Sequence, residues 1–157
     1  MSNLEKFMQY AAAFEHARDS DDWRVLAPFF AEHACYTAEW PAPLGGHFEG
    51  RDAILDYFKR ILDGFDRRFA TIEFLPMEPP VPPREEGNTV SFHGRARYTS
   101  PGRPDLCFEA KSSVTFDGDV IVELADQFDA NARAIIAAYL REYGAALGIG
   151  LSAGEKR

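Results

Sequence analysis

The sequence predicts an α+β fold: a curved, mostly antiparallel sheet wrapped around N-terminal helices, with a C-terminal helix and a cone-shaped pocket open at one end. Three observations predict it. Apolar stripes of helical period come first along the chain, period-two strands dominate the second half, and the links between those strands look like hairpins rather than helical crossovers. Runs of strands after helices argue against a parallel, doubly wound sheet.

Leu4, Phe7, Met8, Ala11 and Phe14 follow helical spacing and predict a first helix over about Leu4–Asp19. Ser20-Asp21-Asp22 caps a second helix, roughly Asp22–Ala31, with Trp23, Leu26, Phe29 and Phe30 inward and Pro28 as a kink. Ala34–Trp40 turns strand-like, and Pro41–Gly50 is a Pro/Gly-rich loop carrying His47. Ile54, Leu55, Phe58, Ile61 and Leu62 stripe a third helix over about Arg51–Phe65, before a strand over Phe69–Met77. The segment PMEPPVPPREEGN holds five of the ten prolines, so it reads as a stiff surface excursion linking two strands. Val90–Ser100, Leu106–Phe116 and Val120–Phe128 complete the sheet, and Asp129 caps a last helix ending near Gly144. Residues 1–147 read as one domain and 148–157 as a flexible tail.

The last strand carries the sharpest clue. After the Asp117-Gly118 turn, alternation places Val120, Val122, Leu124, Asp126 and Phe128 on one face. Asp126 thus sits on the apolar face of its own strand. A carboxylate there must find a partner, shift its pKa upward or line a wet cavity.

A net charge of −8 argues against nucleic acid and against an anionic membrane surface, since both select Lys and Arg. The N-terminus carries Glu5, Glu15 and Asp19 and lacks a signal core, and no apolar run reaches membrane-spanning length, so a cytoplasmic protein is expected. Cys35 and Cys107 read as buried free thiols. The four His are scattered without ligand spacing, and no glycine-rich phosphate loop occurs, so neither metal nor cofactor is expected.

The run Asp22-Trp23…Phe29-Phe30-Ala31-Glu32-His33-Ala34, then Phe48-Glu49-Gly50-Arg51-Asp52-Ala53-Ile54, resembles the SnoaL-like branch of the nuclear transport factor 2-like superfamily. Phe116-Asp117-Gly118…Asp126-Gln127-Phe128-Asp129 is similar to that branch's last two strands. The resemblance covers roughly Leu4–Gly144. It implies the cone-shaped pocket and a homodimer built on the sheet's outer surface. The superfamily includes ketosteroid isomerases, whose catalytic Tyr and Asp positions align with Phe14 and Ala38 here, so that activity is not expected. It also includes epoxide hydrolases; Asp126 resembles the acid of their last strand, but Arg95-Ala96-Arg97 replaces the wanted Arg-x-Asp.

The candidate catalytic residues are therefore Asp126, as general acid or base, and His47 as a proton shuttle on the pocket rim. Tyr36, Trp40, Tyr98, His16 and Phe128 are the candidate binding residues for a small apolar or aromatic molecule. Two functional readings follow. One is a cofactor-independent isomerase, dehydratase, cyclase or hydratase; the other is a ligand-binding or assembly protein without chemistry.

Overall fold

The computed structural model describes residues 1–149. The expected tail lies outside them, apart from Gly148, which caps the last helix in the left-handed region (φ 74°), and the buried Ile149.

Helix α1 spans Asn3–Ser20. Ser2 and Glu5 form a reciprocal capping box at its start, satisfying backbone donors that have no intrahelical partner. Its buried positions are Tyr10 and Ala17, while Met8, assigned to the inward stripe from sequence, is 57% exposed. The inward face runs Phe7–Tyr10–Phe14–Ala17, the i, i+3, i+7, i+10 series. A 3₁₀ segment, Trp23–Phe29, replaces the expected second α-helix. Pro28 cannot donate to a continuing helix, and the chain passes straight into a strand at Phe30, four residues earlier than expected.

Strand β1 (Phe30–Ala38) pairs with β2 (Gly46–Glu49), a short strand inside what the sequence presents as a loop. Helix α2 (Arg51–Gly64) follows, then β3 (Thr71–Pro76), β4 (Arg84–Glu86), β5 (Thr89–Thr99), β6 (Leu106–Asp117), β7 (Val120–Gln127) and helix α3 (Ala130–Leu147). The sheet order is β2-β1-β7-β6-β5-β3, with β4 also paired to β5. All pairings are antiparallel except β1 with β7. The Pro-rich excursion therefore ends in a hairpin, and that hairpin holds α1: Leu4 N–H donates to Glu85 Oε1 at 2.7 Å.

Alternation along β7 is broken by a bulge between the Phe116↔Ile121 and Thr115↔Glu123 pairs. Ile121 is therefore fully buried and Val122 only partly so, the reverse of strict alternation; from Leu124 onward the expected face holds.

One core cluster packs α1, the 3₁₀ segment and α2 against β1 and the β5–β7 strands. Phe58 is its hub, with ring centroids 5.2–5.6 Å from Phe14, Trp23 and Tyr36. A second cluster joins α3 to Phe65, Phe69, Tyr98, Phe108 and Phe128. Burying side chains of this size contributes roughly 2–3 kcal/mol each relative to exposure. Of the two thiols expected inside, Cys35 is partly buried and Cys107 is exposed, on the outward parity of β6. No described helix is long and apolar enough to cross a membrane.

Candidate functional site

Between the helices and the sheet lies a cavity of about 380 Å³, walled mainly by rings from α1, α2 and the strands. Three adjacent central strands deliver its polar group. β7 places Asp126 beside Ser112 of β6 in register, and beside Ala38 of β1 on the other flank. Tyr36, two residues before Ala38, shares its face, because strand side chains alternate. The small Ala38 side chain leaves room for the phenol to reach across.

Tyr36 Oη donates to Asp126 Oδ2, and Ser112 Oγ donates to Oδ1 at 2.6 Å. Protein encloses the carboxyl on all sides except where the cavity reaches it. That desolvation raises its pKa above the ordinary carboxylate value, while the Ser112 and Tyr36 bonds pull in the opposite direction. The phenols of Tyr10, Tyr36 and Tyr98 are all raised, chiefly by burial and further by Asp126, so each stays protonated as a donor. At neutral pH this wall holds a base or acid flanked by neutral hydroxyls.

The loop after β1 fixes the cavity's floor. Glu39 N–H donates to the Asp126 carbonyl at 2.9 Å, and Tyr57 Oη donates to the Leu44 carbonyl at 2.6 Å. Gly45 lets this loop close, because a Cβ there would overlap the carbonyls of Trp40 and Ala38. Trp40 is thereby set against Phe128 and Phe108, with centroids 4.8 and 5.4 Å away.

The structure brings Asp126, Tyr36, Trp40, Tyr98 and Phe128 to this one cavity. It does not bring the two His there. His47 lies on β2, exposed, with Nδ1 2.8 Å from Thr37 Oγ1, and His16 is exposed on α1. Both fail for the same reason: the rim is formed by α1's other face and by β5, not by the Pro41–Gly50 loop.

The polar lining residues that escape the sequence reading include Tyr10, Tyr57, Ser112, Asp66 and His93. Tyr10 carries a signal in its spacing from Phe7 and Phe14, and Ser112 in its parity with Phe108, Ala110 and Val114. Asp66 follows α2 in a 3₁₀ turn, Asp66–Arg68, and no periodicity marks it. Its carboxyl lines the cavity, and burial pushes its pKa up to about 7 against a smaller downward pull from Arg18. Among the described residues no group of three or more His, Cys, Asp or Glu stands where it would hold a metal ion.

The family model of the SnoaL-like domain matches residues 9–128. This chain belongs to that family. Among solved structures, a protein of unknown function from Burkholderia pseudomallei K96243, described as NTF2-like, is 20% identical with a TM-score of 0.61, over 90% of this chain and 97% of that one. TerC, crystallised with polyporic acid, is 15% identical with a TM-score of 0.58, over 81% and 94%. A protein of ketosteroid isomerase-like fold from Catenulispora acidiphila DSM 44928, in complex with trimethylamine, is 15% identical with a TM-score of 0.55, over 78% and 87%. At these identities the likeness is one of fold. No curated protein sequence matches this chain.

Proposed function

We propose that this SnoaL-like protein is a cofactor-independent enzyme that moves a proton on a small, largely apolar or aromatic molecule, in an isomerisation, dehydration, cyclisation or hydration. The observation that carries this reading is the meeting of Asp126 with Tyr36 and Ser112 on the wall of an aromatic cavity. A carboxyl whose pKa is raised is a better base than a solvated one. It takes a proton from a substrate C–H or O–H and returns it at a neighbouring atom. The Tyr36 and Ser112 bonds hold both oxygens in place. The neutral phenols of Tyr10 and Tyr98 supply donors for an oxygen that gains charge during the transfer. His47 has no part in this scheme, and Tyr36 takes the place of the assisting group. Fold neighbours holding trimethylamine and polyporic acid support a cavity that admits small molecules.

One feature favours a second reading, ligand capture without turnover: both Asp126 oxygens already accept bonds from the protein. A thermal-shift screen of wild type and Asp126→Asn against small aromatic, terpenoid and steroid-like compounds separates the two, followed by turnover assays on each stabilising compound. Enzymatic function requires a compound that stabilises the wild type and is converted by it, with conversion falling by about 100-fold or more in the variant. Stabilisation that never leads to conversion establishes the capture reading instead.

A further inference from the structure

Asp66 is the one carboxyl on the cavity wall, among the described residues, for which the fold supplies neither a hydrogen bond nor an ion pair. Glu15 is bonded to Arg18, whose Nη2 lies 3.0 Å from Glu15 Oε2, and Asp126 has its two hydroxyl donors. Its oxygens are open to the cavity rather than sealed in protein, so a cationic group entering the cavity can pair with them.

No neighbouring side chain bonds to the Asp66 carboxyl among the described residues. From α1, Arg18 is the cation whose charge reaches Asp66, but Glu15 holds it and its guanidinium rests 5.9 Å from the Phe74 centroid. On the Asp66 turn itself, Arg67 is taken by Asp63 and Asp21, and Arg68 is exposed with its guanidinium beside Gly148 at the end of α3. At the β5 rim, Arg95 donates to the Pro76 carbonyl and lies 3.7 Å from Glu78. Tyr57 of α2 and Tyr98 of β5 line the same cavity, and the Asp66 charge adds to the burial that raises both phenols. Trp40 stands beyond Tyr98, with centroids 6.4 Å apart.

We propose that Asp66 anchors the cationic end of the ligand, so that the cavity takes an amine: an ammonium seated between the Asp66 carboxylate and the surrounding rings, on an apolar or aromatic body extending into the cavity. The proposal rests on the small-molecule reading given above and narrows it to a ligand class. An alcohol would fill one hydrogen bond and leave the charge uncompensated. An ammonium brings at least one N–H donor together with the opposite charge, and aromatic faces add cation–π attraction when water is excluded. Asp66 and Asp126 line the same cavity of about 380 Å³, so the two carboxyls share one ligand-sized space. Because the Asp66 carboxyl ionises near neutrality while simple amines remain protonated, amine binding strengthens as the solution moves from mildly acid to mildly alkaline.

The test is calorimetric titration with matched pairs, phenethylamine against phenethyl alcohol and dimethylbenzylamine against its neutral ether analogue. Wild type, Asp66→Asn and Asp126→Asn are compared at about pH 6 and about pH 8, either side of the Asp66 midpoint. The wild type is expected to bind each amine about tenfold more tightly than its neutral partner at the higher pH, with the preference shrinking at the lower one. Asp66→Asn erases the preference, and Asp126→Asn retains it. Equal binding of amine and neutral partner, failure of every amine to bind, or a preference that survives Asp66→Asn overturns the proposal. The wild-type pH dependence does not require the Asp66 variant to fold; Asp126 and His93 line the same cavity, so the Asp126→Asn profile must keep that dependence for it to belong to Asp66. Neutral compounds that bind and respond to Asp126→Asn, without an amine preference, would remove the amine inference and leave the broader cavity reading intact. An amine preference that depends on Asp66, beside an inert Asp126, would do the reverse.

Discussion

Asp126 and Asp66 are both carboxyls that burial drives upward in pKa, and they differ in what surrounds them. Asp126 keeps two hydroxyl donors, which favour its charged form; Asp66 has none. Removing the donor in Tyr36→Phe therefore raises the Asp126 midpoint further, and loss of a bond to a charged group destabilises the fold by about 2 kcal/mol. Carboxyl carbon NMR titration of wild type and variant reads the shift directly, and an unmoved or lowered midpoint refutes the assignment. For Asp66 the raised midpoint becomes a stability effect of definite sign. Its folded midpoint, about 7, lies above its unfolded one, so the folded chain holds a proton that the unfolded chain has released. Wild-type stability should fall from about pH 4 to about pH 7 through this group and then level. Asp66→Asn should lack that component, as urea midpoints across the range will show. Asp126 is legible from sequence because alternation alone exposes a charge on an apolar face. Asp66 is not, because its place on the wall depends on how the chain turns after α2, which no local pattern encodes.

At the scale of elements, caps and close approaches are where single changes speak clearly. Asp129 Oδ1 accepts from Ala132 N–H at 2.8 Å and starts α3 as the sequence indicates. Asp129→Ala should lower stability by about 1 kcal/mol in a denaturant titration, and no loss would mean the cap is redundant. Phe58→Ala removes the ring that joins α1, the 3₁₀ segment and β1, and should cost about 3–5 kcal/mol in the same assay. The long elements follow from period and caps, which is why α1, α2 and β5–β7 are close to their expected bounds. The short ones do not. β2 is Gly-His-Phe-Glu within a Pro/Gly-rich stretch, and only its partner β1 makes it a strand. The 3₁₀ segment shows the converse, an apolar helical stripe that Pro28 and the early start of β1 prevent from becoming an α-helix.

The whole molecule is a SnoaL-like cone whose mixed sheet has its single parallel pairing, β1 with β7, in the interior. The family resemblance leads us to propose a homodimer on the sheet's outer surface; light scattering should then return twice the 17.6 kDa chain mass, and a monomeric value removes it. The parallel pair also sets the order in which the site comes into being. Tyr36 and Asp126 are separated by 90 positions, and β7 is the last of this sheet's described strands to be synthesised. Until it is, β2–β1 and β6–β5–β3 are two half-sheets, each with an open edge where β7 will lie and with wet aromatic rings on the inner side. A nascent or truncated chain ending before Val120 is thus poised to stick to its neighbours, and its safety during synthesis depends on how quickly the final strand slots between the halves.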